Sequence, residues 1–179
     1  MIKIRPETKK DIEAIRRVNG EAFGRKVEGE MIDKLRCRGV MPISLVAEQN
    51  GEVIGHIQFN PCEVKSVASN FTIMTLGSMA VIPSLQKKGI GSQLVKAGFD
   101  ECRRLGENVV VVLGHPSYYP RFGFVPARAK GIDCEFVEAP DDAWMVMEFK
   151  TGSIAGRTGT AYFPREYREA FDENPPVSV

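Results

Sequence analysis

Between Leu76 and Leu113 the chain reads as strand, broken turn, helix and strand, and no other stretch restricts the fold as tightly. Leu76 to Ile82 is an apolar, strand-like run, and Gln86-Lys87-Lys88-Gly89-Ile90-Gly91-Ser92 interrupts it with two glycines. Ile90, Leu94, Gly98, Cys102 and Leu105 then recur at helical spacing, with Gly106 as the stop signal. Val109-Val110-Val111-Val112-Leu113 is almost entirely β-branched, the pattern of a strand covered on both faces. A strand–helix–strand unit of this length demands a crossover and a parallel pair of strands. The sheet must therefore be layered with helix.

The residues before this unit point to antiparallel pairing. Ile2 and Ile4 alternate with Lys3 and Arg5 up to Pro6, as in a short first strand. Thr8 and Asp11 form a capping-box pattern ahead of Ile12, Ile15, Val18, Ala22 and Phe23 at helical spacing, and Gly24 ends that helix. A second helix is expected over Glu28 to Arg36, with Met31, Ile32 and Leu35 inward and Gly39 closing it. Ser44 to Glu48 and Val53 to Phe59 are β-rich runs around Asn50-Gly51, a strong hairpin signal. Asn60-Pro61 is expected to end that strand, and Val64 to Val67 to begin another that pairs with Phe71 to Ile82. Further strands are expected at Phe122 to Pro126 and Ala143 to Lys150, a loop at Gly152 to Gly159, and a last helix at Arg165 to Phe171. The fold class is α/β with a mixed (α+β) sheet: an antiparallel meander followed by one βαβ crossover.

Composition closes off several functional classes. Lys and Arg total 24 against 23 Asp and Glu, so no global basic field invites nucleic acid. No apolar run approaches the ~20 residues that span a bilayer. Met1 to Pro6 lacks the apolar core of a signal peptide, so a cytoplasmic location is expected, with neither nucleic acid nor membrane as partner. Cys37, Cys62, Cys102 and Cys134 are widely spaced and His56 and His115 are the two histidines, a poor basis for a metal site. Reduced, mostly buried thiols are the expectation, and no metal.

A strand feeding a glycine-broken turn at a helix start is an anion cradle. The first helical N–H groups have no internal acceptor, the helix dipole favours negative charge there, and glycines let a ligand approach. Lys87 and Lys88 add positive charge beside it, and a nucleotide pyrophosphate is the guest such a turn suits. A Walker loop would need Lys-Ser/Thr after the second glycine, where Ser92-Gln93 stands. A dinucleotide fingerprint would need a third glycine where Leu94 stands, and parallel strands upstream.

The pattern that remains is Gln-x-x-Gly-x-Gly after Met79-Ala80-Val81-Ile82-Pro83, which resembles the acetyl-coenzyme A motif of the GNAT superfamily of N-acetyltransferases. Tyr119-Pro120-Arg121-Phe122-Gly123-Phe124 resembles that superfamily's Tyr-x-x-x-Gly-Phe element, and Leu113-Gly114-His115-Pro116-Ser117-Tyr118-Tyr119 resembles its bacterial YhbS-like branch. The resemblance implies a GNAT-type fold with splayed central strands. It also implies acetyl-CoA as cosubstrate, held at the pyrophosphate by Gln86, Lys87, Lys88, Gly89, Ile90, Gly91 and Ser92. The strand through Met79, Ala80 and Val81 would pair with the pantetheine arm, and a main-chain N–H of Met79 or Ala80 would polarise the thioester.

The implied reaction is direct attack by a primary amine of a small molecule or peptide, with Tyr119 as proton donor to the leaving thiolate and Tyr118 as its neighbouring competitor. Glu28, Glu30, Glu48 and His115 are the candidates for a general base, and Ser117 for a pantetheine contact. The rival reading is a non-catalytic acyl-CoA sensor. The domain is expected over residues 1–152, and residues 153–179 form an extension that packs on it or meets a partner in a homodimer.

Overall fold

The structure is a computed structural model and describes residues 1–171. In chain order its elements are β1 (Ile2–Pro6), α1 (Ile12–Phe23), α2 (Val27–Cys37), β2 (Ile43–Gln49), β3 (Glu52–Lys65), β4 (Phe71–Val81), α3 (Ile90–Arg104), β5 (Val109–Leu113), β6 (Val125–Pro126), β7 (Ile132–Cys134), β8 (Trp144–Glu148), β9 (Gly159–Tyr162) and α4 (Arg165–Phe171). The strands form one mixed sheet in the order β1-β2-β3-β4-β5-β8-β6, with β9 joining β3 to β7. Only β4–β5 and β7–β9 run parallel among these pairings. The βαβ crossover is β4–α3–β5, as its sequence requires.

β5 shows why its sequence is uniformly apolar. Val110 and Val112 pack into the core under α3 beside Ile90, Leu94, Val95 and Phe99. Val109, Val111 and Leu113 pack into the opposite core with Met31 and Leu35 of α2 and Tyr167 and Phe171 of α4. Successive side chains leave a strand on opposite faces, so a strand between two helical layers has no polar position. α3 lies so close to the sheet that a Cβ on Gly98 would come 2.3 Å from the Phe59 ring.

The hairpin between β2 and β3 turns on Asn50 and Gly51, both at positive φ, the backbone of a type I′ turn. Gly24 and Gly106 end their helices in the left-handed conformation. Four expectations need correction. The strand does not stop at Asn60-Pro61; β3 runs on to Lys65, paired with β4 through Pro61↔Met74. The pairing with β2 stops at Ile43↔Phe59 and that with β9 starts at Glu63↔Tyr162, so on that side Pro61 faces a gap in the ladder, where a missing N–H costs nothing. Leu105 is the C-cap of α3, not part of its buried face, and is 43% exposed. Phe122 closes a 3-10 turn (Tyr119–Phe122), leaving Val125–Pro126 as the strand there. Finally, the stretch predicted as a loop ends in β9, and β7 has no counterpart in the sequence reading.

α1 and α2 cover the β1–β3 end through a buried polar chain. Arg36 donates to Glu7 at 2.6 Å, Ser44 Oγ bonds Glu7, and His56 Nε2 lies 2.9 Å from Ser44 Oγ. Asn19 Nδ2 faces His56 Nδ1 at 3.3 Å. An amide nitrogen only donates, so Nδ1 accepts and Nε2 carries the proton of a neutral ring. Burial pulls the imidazole down to about 4, against the opposing pull of Glu7. Burial alone would raise Glu7, but its bonds from Arg36 and Ser44 outweigh that and hold it below the usual carboxylate range.

Candidate functional site

β4 is paired differently along its two edges. Toward β3 it stays in register until Ile57↔Met79 gives way to Phe59↔Leu76, so Gly77 and Ser78 together face Gln58 in a bulge. Toward β5 the ladder covers only Met74 to Leu76. From Gly77 to Val81 this β4 edge therefore has no strand beside it among the described residues, and β5 ends at Leu113. The bulge requires its glycine, since a Cβ at Gly77 would sit 2.0 Å from Gln58 Nε2 and 2.2 Å from the Tyr167 hydroxyl. Gln58 donates to that hydroxyl at 2.9 Å, and the hydroxyl donates to Asn60 Oδ1 at 2.8 Å, which braces the bulge from α4.

A cleft of about 650 Å³ opens along the unpaired edge. One wall is Met79, Ala80 and Val81 with the glycine turn: Gln86, Lys87, Gly89, Ile90, Gly91 and Ser92. Gly89 is the N-cap of α3 at φ 82°, and no side chain caps the helix. The N–H groups of the first turn are thus left for a ligand. Lys87 is held at φ 60°, an uncommon conformation outside glycine and one that clusters at ligand sites. The Gln86 amide donates to the Val81 carbonyl at 3.0 Å, tying the turn to the end of β4. Lys88 does not line the cleft; its ammonium donates to the Ser84 carbonyl at 3.1 Å.

The facing wall comes from the segment after β5, with His115, Ser117, Tyr118, Tyr119 and Arg121. The compressed Gly114–Ser117 stretch brings both tyrosines to the cleft through backbone bonds from their N–H groups to the His115 carbonyl. Tyr119 is buried edge-on against Tyr118 and Phe124. Tyr118 is half-buried and reaches the glycine turn: a Cβ at Gly91 would lie 2.7 Å from its hydroxyl. Arg121 stacks on the Tyr118 ring at 4.6 Å and brings a cation to the cleft. Sequence reading missed Arg121, although it sits inside the tyrosine motif, and missed Phe23, which lines the cleft from the end of α1.

The fold recurs in known proteins. The family model for the Acetyltransferase (GNAT) domain matches residues 3–127, well over half of the chain. The chain belongs to the GNAT family. It is 37% identical over 143 residues to the uncharacterized N-acetyltransferase YjhQ of Escherichia coli K12, covering 77% of this chain and 79% of that protein. To the E. coli protein YhbS in complex with CoA the fold agrees with a TM-score of 0.87 at 27% identity, over 93% of this chain and 92% of that one. A Brucella melitensis GNAT acetyltransferase in complex with acetyl-CoA gives a TM-score of 0.77 at 29% identity, over 93% and 98%. This chain is thus a YhbS-like GNAT protein, as its motifs imply.

Of the general-base candidates, the GNAT fold brings two near the site. His115 lines the cleft. Glu28, buried at the start of α2, lines a second, smaller cavity behind Phe23. Glu48 lies on β2, bonded to Arg5 at 2.7 Å, and Glu30 is exposed on the outer face of α2. The thiols do not enter the site: Cys62, Cys102 and Cys134 are buried and free, and burial pushes Cys102 and Cys134 up to about 12.

Proposed function

We propose that this protein transfers an acetyl group from acetyl-CoA to a primary amine of a small molecule or peptide, by direct attack of the amine on the thioester. The observation that carries the reading is the continuity of the cleft. A bare strand edge from Gly77 to Val81 runs straight into a glycine turn with uncapped helical N–H groups. An acyl-pantetheine arm joined to a pyrophosphate needs those two features in that order. The volume of the cleft fits a ligand site, and the Gly89–Gly91 approach leaves no Cβ in the way.

Backbone N–H groups of Lys87 to Ser92, Lys88 included, hold the pyrophosphate, with Lys87 and Arg121 adding charge, while Gln86, whose N–H is bonded to the Pro83 carbonyl, fixes the turn. The edge of Met79, Ala80 and Val81 takes the pantetheine, and an N–H of Met79 or Ala80 polarises the thioester carbonyl. Tyr119 supplies the proton at its hydroxyl to the departing thiolate. A free phenol's pKa near 10 lies close enough to that of a free thiol for a tyrosine to transfer a proton as negative charge develops on sulfur. Residues 153–171 belong with the amine side, since β9 is hydrogen-bonded into the sheet and α4 closes over α2; the rest of the expected extension, residues 172–179, lies outside the described residues.

The test is mass spectrometry of the protein mixed with acetyl-CoA and a panel of primary amines. An acetylated amine with stoichiometric release of CoA is expected. Tight acetyl-CoA binding with no amine acetylated would leave a sensor instead of an enzyme.

A further inference from the structure

Behind the cleft, the bulge of β4 opens on its other side into a small cavity of about 20 Å³. Gly77 and Ser78 line this cavity, whereas the next residue, Met79, lines the large cleft; Phe23 borders both. Both spaces border the stretch of β4 where the thioester is expected. The small cavity has room for one water-sized group.

Its walls define what that group is. Glu28 is 2% exposed, and its two carboxylate oxygens differ. Oε1 accepts from Arg25 at 2.7 Å, while Oε2 is buried with no hydrogen-bond partner among the described residues. A buried, unpartnered carboxylate oxygen is costly, and a cationic donor offsets that cost best. Phe23, Phe163, Tyr167 and Phe171 surround it with aromatic rings, whose faces also attract a cation. Among the described residues no lysine or arginine lines the cavity; Arg25 lies over the Phe171 ring at 5.5 Å. A carboxylate-bearing guest finds no counter-charge inside.

We infer that this cavity is the acceptor subsite and that Glu28 Oε2 receives the ammonium head of an unbranched primary amine on an apolar or aromatic stem. The inference rests on the acetyl-transfer reading for its place beside the thioester, but the recognition itself is a binding event. An –NH3⁺ group matches the cavity in size and charge. N-methylation makes the head too large, and replacing the nitrogen by oxygen removes the charge that Glu28 pairs with.

The test is calorimetric titration of the CoA-bound protein, in which no turnover occurs, with 2-phenylethylamine, its N,N,N-trimethyl derivative, 2-phenylethanol and 3-phenylpropionate. The amine is expected to bind about tenfold or more tightly than each of the other three, and Glu28→Gln to remove that preference while CoA affinity stays unchanged. Equal binding of the alcohol or the carboxylate, failure of the amine to bind, or an amine affinity indifferent to Glu28→Gln would each overturn it. Retained CoA affinity reports that the variant is folded; if it is not, the ligand series on the unaltered protein decides alone. An amine that binds through Glu28 but is never acetylated would sink the transfer reading and leave this subsite standing. Acetylation of amines whose binding ignores Glu28 would do the reverse.

Discussion

At Tyr119 the hydroxyl is buried at the cleft while the ring packs edge-on against Phe124 and Tyr118. Tyr119→Phe keeps that packing and removes only the oxygen, so it isolates proton donation from structure. The variant is expected to lower kcat by about 100-fold, the ordinary worth of a general acid, with KM for acetyl-CoA little changed. Thiol release followed across pH measures this, and an unchanged kcat would pass the role to Tyr118 or to water. Sequence alone named Tyr119 from Tyr-x-x-x-Gly-Phe spacing but could not see Glu28 as special. One of four acidic or imidazole candidates in the chain, it becomes distinct only when folding buries Oε2 without a partner. Arg121 was hidden for a related reason: its stacking on Tyr118 belongs to the 3-10 turn, not to any periodic pattern.

Elements with strong local signals were legible almost to the residue. α4 spans Arg165–Phe171 as read, and Asn50-Gly51 fixed the β2–β3 hairpin. β7 and β9 were not, because strands of three and four residues carry no periodicity and owe their pairing to partners far along the chain. Pro61 misled for the complementary reason: its strand-breaking effect vanishes where the neighbouring edge is empty. At this scale the network joining α1, α2 and β1–β3 carries a pH signature. His56 has its pKa lowered by burial to about 4, whereas an unfolded histidine titrates near 6.5. Between those values the unfolded chain binds a proton that the folded chain refuses, so stability is complete above about pH 6.5 and falls as pH drops toward 4. The loss at the bottom of that window is on the order of 3 kcal/mol. Glu7, whose pKa is lowered, adds its own loss as pH falls from the range where a free carboxylate titrates toward its own lower pKa. Urea unfolding at about pH 7.5 and about pH 4.5 should show the drop in the parent and a flatter response in His56→Gln. Equal slopes would mean the histidine is not the group responsible.

On the scale of the whole molecule, β4 organises everything the proposed chemistry needs. One edge is bulged against β3, the other abandons β5 after Leu76, and its C-terminal end delivers the chain into the glycine turn. The glycine turn was legible in the residues and the splayed strands in the resemblance, but not the second cavity behind them, since that space is lined jointly by α1, α2, β4, β5 and the C-terminal segment. The central claim is that this turn holds the pyrophosphate of acetyl-CoA. Gly91 is where a side chain would intrude, with a Cβ 2.7 Å from the Tyr118 hydroxyl and 3.2 Å from Met79 Sδ. Calorimetric titration of acetyl-CoA into the parent protein and into Gly91→Val tests the claim most directly. One site per chain is expected in the parent, and an affinity lower by about 100-fold or more in the variant. Equal affinity in the two proteins, or no binding to the parent, would contradict it.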